Sequence, residues 1–62
     1  MTADTSDDRR RAIFADLVSA QDEGHSVPAS RELVAGRYGV SVEEVQAIER
    51  EGLDNGWPPL GG

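Results

Sequence analysis

Sixty-two residues with 12 acidic and 6 basic side chains, a net charge of −6 and no cysteine bound what this chain can be. That length allows one domain, the lack of cysteine excludes a disulfide framework and a thiolate metal site, and no apolar run reaches the roughly 20 residues of a membrane span. A domain this small buries only about 60% of its unfolded surface, so helix caps and close packing must carry much of its stability.

Residues 1–5 read as a disordered polar tail. They have neither the basic start nor the apolar stretch of a signal peptide, and with no cysteine staples a cytoplasmic setting is expected. A first helix is expected from about Thr5 or Ser6. Thr5 and Asp8 form a weak capping pair, and Asp7 and Asp8 suit the positive end of the helix dipole. Ile13, Phe14, Leu17, Val18 and Gln21 then recur on one helical face, and Gly24 is a natural stop.

His25 to Ala29 reads as a connector, with Val27 held extended by Pro28. Ser30 is the expected N-cap of the second helix, which turns Leu33, Val34 and Tyr38 to one side and ends at Gly39. Gly39-Val40-Ser41 is a tight turn. Ser41 and Glu44 fit a capping box that opens the third helix, with Val45, Ile48 and Leu53 facing inward. Gly52 and Gly56 weaken the end of that helix, and the run Trp57-Pro58-Pro59-Leu60 cannot continue it. The expected architecture is therefore all-α: a small three-helix bundle over residues 6–56, followed by a Trp/Pro-rich tail, 57–62, that folds back with Trp57 over the core or stays exposed.

The informative stretch is Arg31 to Arg50. A small residue, Ala35, stands where two helices would cross. Gly39 follows at the turn, where positive φ is needed. Val40 plugs the angle, and Val45 and Ile48 point into the core. Two helices joined by a short glycine-containing turn account for each of these, so a helix-turn-helix is expected. The plainer alternative is an ordinary helical hairpin in which these residues fall by coincidence.

Residues 30–53, S-R-E-L-V-A-G-R-Y-G-V-S-V-E-E-V-Q-A-I-E-R-E-G-L, resemble the helix-turn-helix of bacterial transcription factors. The likeness is greatest to region 4 of sigma factors of RNA polymerase, where a run like G-V-S-x-E-x-V-x-x-I-E-x-x-x-L is typical. The start, P-A-S-R-E-L-V, also resembles GntR-type winged helices, but nine residues after Leu53 leave no room for a β-wing. The sigma-like resemblance implies duplex-DNA binding in transcription, with the third helix in the major groove. Val42, Glu43, Gln46, Ala47 and Arg50 would then face outward. Gln46 can pair with adenine, Arg50 with guanine, and Glu43 can accept from cytosine. Arg31 and Arg37 are the phosphate candidates. Arg9, Arg10 and Arg11 read rather as a solvated face pairing with nearby carboxylates.

The charge distribution pulls the other way. Of the segments 1–30, 31–40 and 41–62, only residues 31–40 are net positive, whereas residues 41–62 carry five carboxylates and one arginine. Val42 and Glu44 stand where sigma-like domains usually carry basic residues. Glu44 and Glu43 have capping and dipole explanations, and Glu49 and Glu51 are expected to point away from a groove. Two readings follow: a DNA-binding domain that acts as a homodimer or with a protein partner such as the transcription machinery, and an acidic interaction module on the same scaffold that docks a basic protein surface. A fold alone does not choose between them.

No enzyme is expected. His25 is a lone histidine in a polar loop, and Ser30 and Ser41 read as caps with no base beside them. Asp16, Asp22 and Glu23 do not follow a calcium-loop spacing, no glycine-rich phosphate loop is present, and no cofactor is called for. Tyr38 and Trp57 are expected in the core rather than as base-stacking platforms.

Overall fold

The computed structural model describes residues 6–58, which form three α-helices: α1 (Ser6–Asp22), α2 (Val27–Tyr38) and α3 (Val42–Asn55). Each helix packs against the other two. The expected tail at residues 1–5, the Thr5 cap and the segment from Pro59 to Gly62 lie outside the described residues.

α1 supplies Ile13, Phe14, Leu17 and Ala20 to the core, at spacings that keep them on one face. It ends before Gly24, whose φ of 107° suits only glycine. α2 adds Val34 and Ala35, and α3 adds Val45 and Ile48. Val18, Tyr38, Val40 and Val42 seal the edges.

α2 begins earlier than expected. Its N-cap is Ser26, not Ser30: Ser26 is extended, and its Oγ accepts from the Ala29 N–H at 3.2 Å. Pro28 then falls in the first turn, where a missing N–H is harmless. The residues read as a connector are therefore helical from Val27 on. Ser30 is fully buried: its Oγ donates to the Val27 carbonyl at 2.7 Å and accepts from Gln21 Nε2 at 3.2 Å, tying α2 to α1.

The residues that α2 buries against its neighbours set its phase. Ser30, Val34 and Tyr38 face inward, so Leu33, about 100° round the helix from Val34, turns outward and stays 40% exposed. The same logic overturns the inward placement of Leu53, which is 57% exposed. Gly52 takes the inner position instead, with the Phe14 ring where a side chain would be. Gly52 is thus a close-packing site and not merely a weak point in the helix.

The turn forms as expected. Gly39 is left-handed (φ 70°) and its N–H reaches the Ala35 carbonyl. Ser41 Oγ accepts from the Glu44 N–H at 3.0 Å, while the Glu44 carboxylate makes no return bond, so only one half of the capping box is closed. At the far end, Gly56 is again left-handed, and both Gly56 and Trp57 donate their N–H to the Gly52 carbonyl. That cap turns Trp57 back onto the core, 7% exposed, with its ring edge-on to Phe14 at 6.0 Å. Trp57 therefore belongs to the packed body, while Pro58 is exposed.

Candidate nucleic-acid interface

α3 presents Glu43, Gln46, Ala47 and Arg50 to solvent. Their i, i+3, i+4, i+7 spacing puts them on one face. The left-handed Gly39 and the Ser41 cap fix where that face begins, and Val45 and Ile48 anchor its reverse. Val42 was expected on the same outer face. It is half-buried and packs against the edge of the core instead.

Beside this face lies an open hollow of about 360 Å³ between α2 and α3. Arg31, Gln46, Glu49, Arg50, Leu53 and Asp54 line it. Three of the five residues expected to meet DNA, Arg31, Gln46 and Arg50, thus come together. Glu43 lies on the outer face but not in the hollow. Arg37 is elsewhere: its Nη1 pairs with Asp16 of α1 at 3.5 Å, and Asp16 also accepts from Tyr38 Oη at 2.7 Å. That hydrogen bond, with burial and the Asp16 charge, raises the Tyr38 pKa above the ordinary tyrosine value.

Glu49 lines the hollow and is joined across it to α2. Arg31 donates from Nε (3.0 Å) and Nη2 (2.8 Å) to the same Glu49 oxygen, Oε1. The two side chains are only 26% and 17% exposed, which shields the pair from salt. Glu51 lies on the other flank, where both its oxygens accept from Arg10 at 3.0 Å and Asp7 adds a further contact to that guanidinium. Hydrogen bonding to Glu51 is the main cause of a raised Arg10 pKa.

The arginine triplet of α1 lines no part of the hollow. Arg9 donates to the Tyr38 carbonyl at 2.9 Å, neutralising the C-terminal end of α2, and the Arg11 guanidinium stacks on Trp57, 5.4 Å from the ring centroid. Among the described residues, Glu43, Glu44 and Asp54 have no ion-pair partner, and neither does Arg50.

Sequence reasoning missed Glu49, Leu53 and Asp54 as members of this site. The signal was present: Gln46, Glu49, Arg50 and Leu53 follow the same helical spacing that groups Gln46 with Arg50. Among the described residues no group of His, Cys, Asp or Glu is placed to hold a metal ion, and no helix is long and apolar enough to cross a membrane.

Comparison with protein-family models, with curated proteins and with solved structures returns no match for this chain.

Proposed function

We propose that this chain is a small cytoplasmic helix-turn-helix domain that reads duplex DNA, in transcription, through the outer face of α3. The observation that carries the reading is the pairing of Gln46 and Arg50. They stand one helical turn apart, both exposed, beside a hollow that Arg31 also lines. A glutamine amide matches adenine N6/N7, a guanidinium matches guanine O6/N7, and an α-helix fits the major groove. The resemblance of residues 30–53 to region 4 of sigma factors supports the same docking.

Electrostatics limits the affinity. Arg31 and Arg37 are each held by a carboxylate, and the chain carries −6 overall. Duplex DNA rewards each phosphate neutralised, so a single copy binds weakly, and a homodimer or a protein partner on the transcription machinery supplies the remaining affinity.

The test is selection from a randomised duplex pool at low salt, followed by Arg50→Ala on the enriched site. Enrichment is expected, and the substitution lowers affinity by about 1–3 kcal/mol and relaxes specificity. Unchanged binding by the variant removes this docking geometry.

A second reading has its own support. The unpaired carboxylates Glu43, Glu44 and Asp54 on exposed positions of α3 suit a basic protein surface. Failure of the chain to bind any duplex at low salt, together with a lysine-rich peptide perturbing the Glu43 and Asp54 amide resonances, would favour it over DNA.

A further inference from the structure

The ion pair between Arg31 and Glu49 lies in the hollow beside Gln46 and Arg50, where, on the DNA reading of α3, a sequence-blind backbone contact would be made. In groove docking by a helix-turn-helix, the helix before the reading helix lies against the backbone, and cations there hold phosphates without reading bases. Arg31 is the α2 cation on that side, since it lines the hollow with Gln46 and Arg50, whereas Arg37 faces α1. Two hydrogen bonds to Glu49 Oε1 fix its guanidinium to α3. To reach a phosphate, Arg31 would have to leave a carboxylate that is itself largely shielded from water and would then face the DNA backbone bare.

We infer that Glu49 is a specificity-determining residue: by neutralising Arg31 it removes a phosphate contact that every sequence would share, and so makes binding depend on the base contacts of Gln46 and Arg50. The inference rests on the DNA reading of α3. Its consequence is that loss of the Glu49 charge strengthens binding to all duplexes and weakens discrimination between them.

The neighbouring ion pair supplies a matched control. Glu51→Gln removes the same charge from the same helix and releases Arg10, but on the flank facing α1 and away from the hollow. A change in net charge alone affects both variants equally. Release of a phosphate-reaching Arg31 affects only Glu49→Gln.

The experiment measures the full chain, Glu49→Gln, Glu51→Gln and the double variant Arg31→Gln/Glu49→Gln against a labelled mixed-sequence duplex across a salt series. Trp57 emission verifies that each is folded. Glu49→Gln is expected to bind about tenfold more tightly at low salt, with the slope of log affinity against log salt steeper by about 0.9, the increment for one phosphate contact. Glu51→Gln and the double variant match the unaltered chain. Equal gains from Glu49→Gln and Glu51→Gln overturn the inference, as does no gain from Glu49→Gln. A shallower slope in the double variant also overturns it, because it would show Arg31 on phosphate already. In each of these the unaltered chain still binds duplex, so the DNA reading survives. Absence of binding by all four proteins at low salt overturns that reading and this inference together.

Discussion

Replacing Gly52 with alanine should destabilise the domain, although alanine is the better helix former. Gly52 lies within α3 and is buried against α1. A Cβ placed there would fall inside the van der Waals surface of the Phe14 ring, against Cδ1, Cε1 (2.5 Å) and Cγ (2.7 Å). The ring has little room to yield, because Phe14 is fully buried and Trp57 packs edge-on against it. Overpacking of this kind costs about 1–3 kcal/mol and sometimes more, against about 0.8–1 kcal/mol gained from helix propensity. The two ranges leave a net loss of up to about 2 kcal/mol, which lowers the melting midpoint by as much as about 15 °C in a domain of this size. Gly36 is the internal control: it too is helical, yet nothing lies within 4 Å of its would-be Cβ. Gly36→Ala should raise the midpoint by a few degrees, corresponding to roughly 0.5–1 kcal/mol. Thermal unfolding followed by far-UV circular dichroism and Trp57 fluorescence measures both. Equal shifts from the two substitutions, or a stabilised Gly52→Ala, would refute the claim that α1 and α3 meet at this glycine.

Three further outcomes follow from the same contacts. Ser26→Ala removes the cap of α2 and should lower stability by about 1 kcal/mol in a urea titration, whereas a helix beginning after Ser30 would be indifferent to it. Arg11→Ala uncovers the face of Trp57 on which its guanidinium lies, so the emission should shift to the red with a loss of about 0.5–1 kcal/mol; an unchanged spectrum would show the stacking to be absent in solution. Folding holds the Tyr38 proton more tightly, because its hydroxyl donates to Asp16. That contribution is complete below the unfolded tyrosine value of about 10 and is lost as pH rises through the higher folded value, so stability should fall on the alkaline side and fall less steeply in Tyr38→Phe.

The parts of the fold legible in the sequence are those whose cause is local. Gly24 and Gly39 needed only their own backbone freedom, Ser41 only the N–H three residues on, and Val45 and Ile48 only the helical period. The start of α2 was ambiguous because serines stand on both sides of Pro28. Ser26 prevails since the proline then occupies the first turn, and the Ser30 hydroxyl is engaged by Val27 and Gln21. Leu33 and Leu53 misled for another reason. Hydrophobicity places them inside, but helical phase is set by the neighbours Val34 and Gly52, which pack against residues distant in sequence. The site divides along the same line: Gln46 and Arg50 are grouped by spacing on one helix, while the Arg31–Glu49 pair exists only once α2 and α3 are docked.

That pair is one of three with a common form. Arg10–Glu51 joins α1 to α3, Arg31–Glu49 joins α2 to α3, and Arg37–Asp16 joins α1 to α2, so that among the described residues each helix interface carries an ion pair. Pairs as exposed as Arg10–Glu51 and Arg37–Asp16 contribute only about 0–1 kcal/mol, so their larger effect is on which side chains remain available. Three of the six arginines pair with carboxylates of neighbouring helices, Arg9 and Arg11 are occupied at a helix end and on Trp57, and among the described residues Arg50 alone has no such partner. A count of charges therefore misjudges this surface in both directions. It overstates the cations that could grip a phosphate backbone, and it hides that the remaining one lies beside Gln46 on the face turned away from the core. On the proposed DNA reading, an α3 that grips weakly and reads with two side chains would depend for its affinity on a second copy or a partner, and for its selectivity on keeping Arg31 where Glu49 holds it.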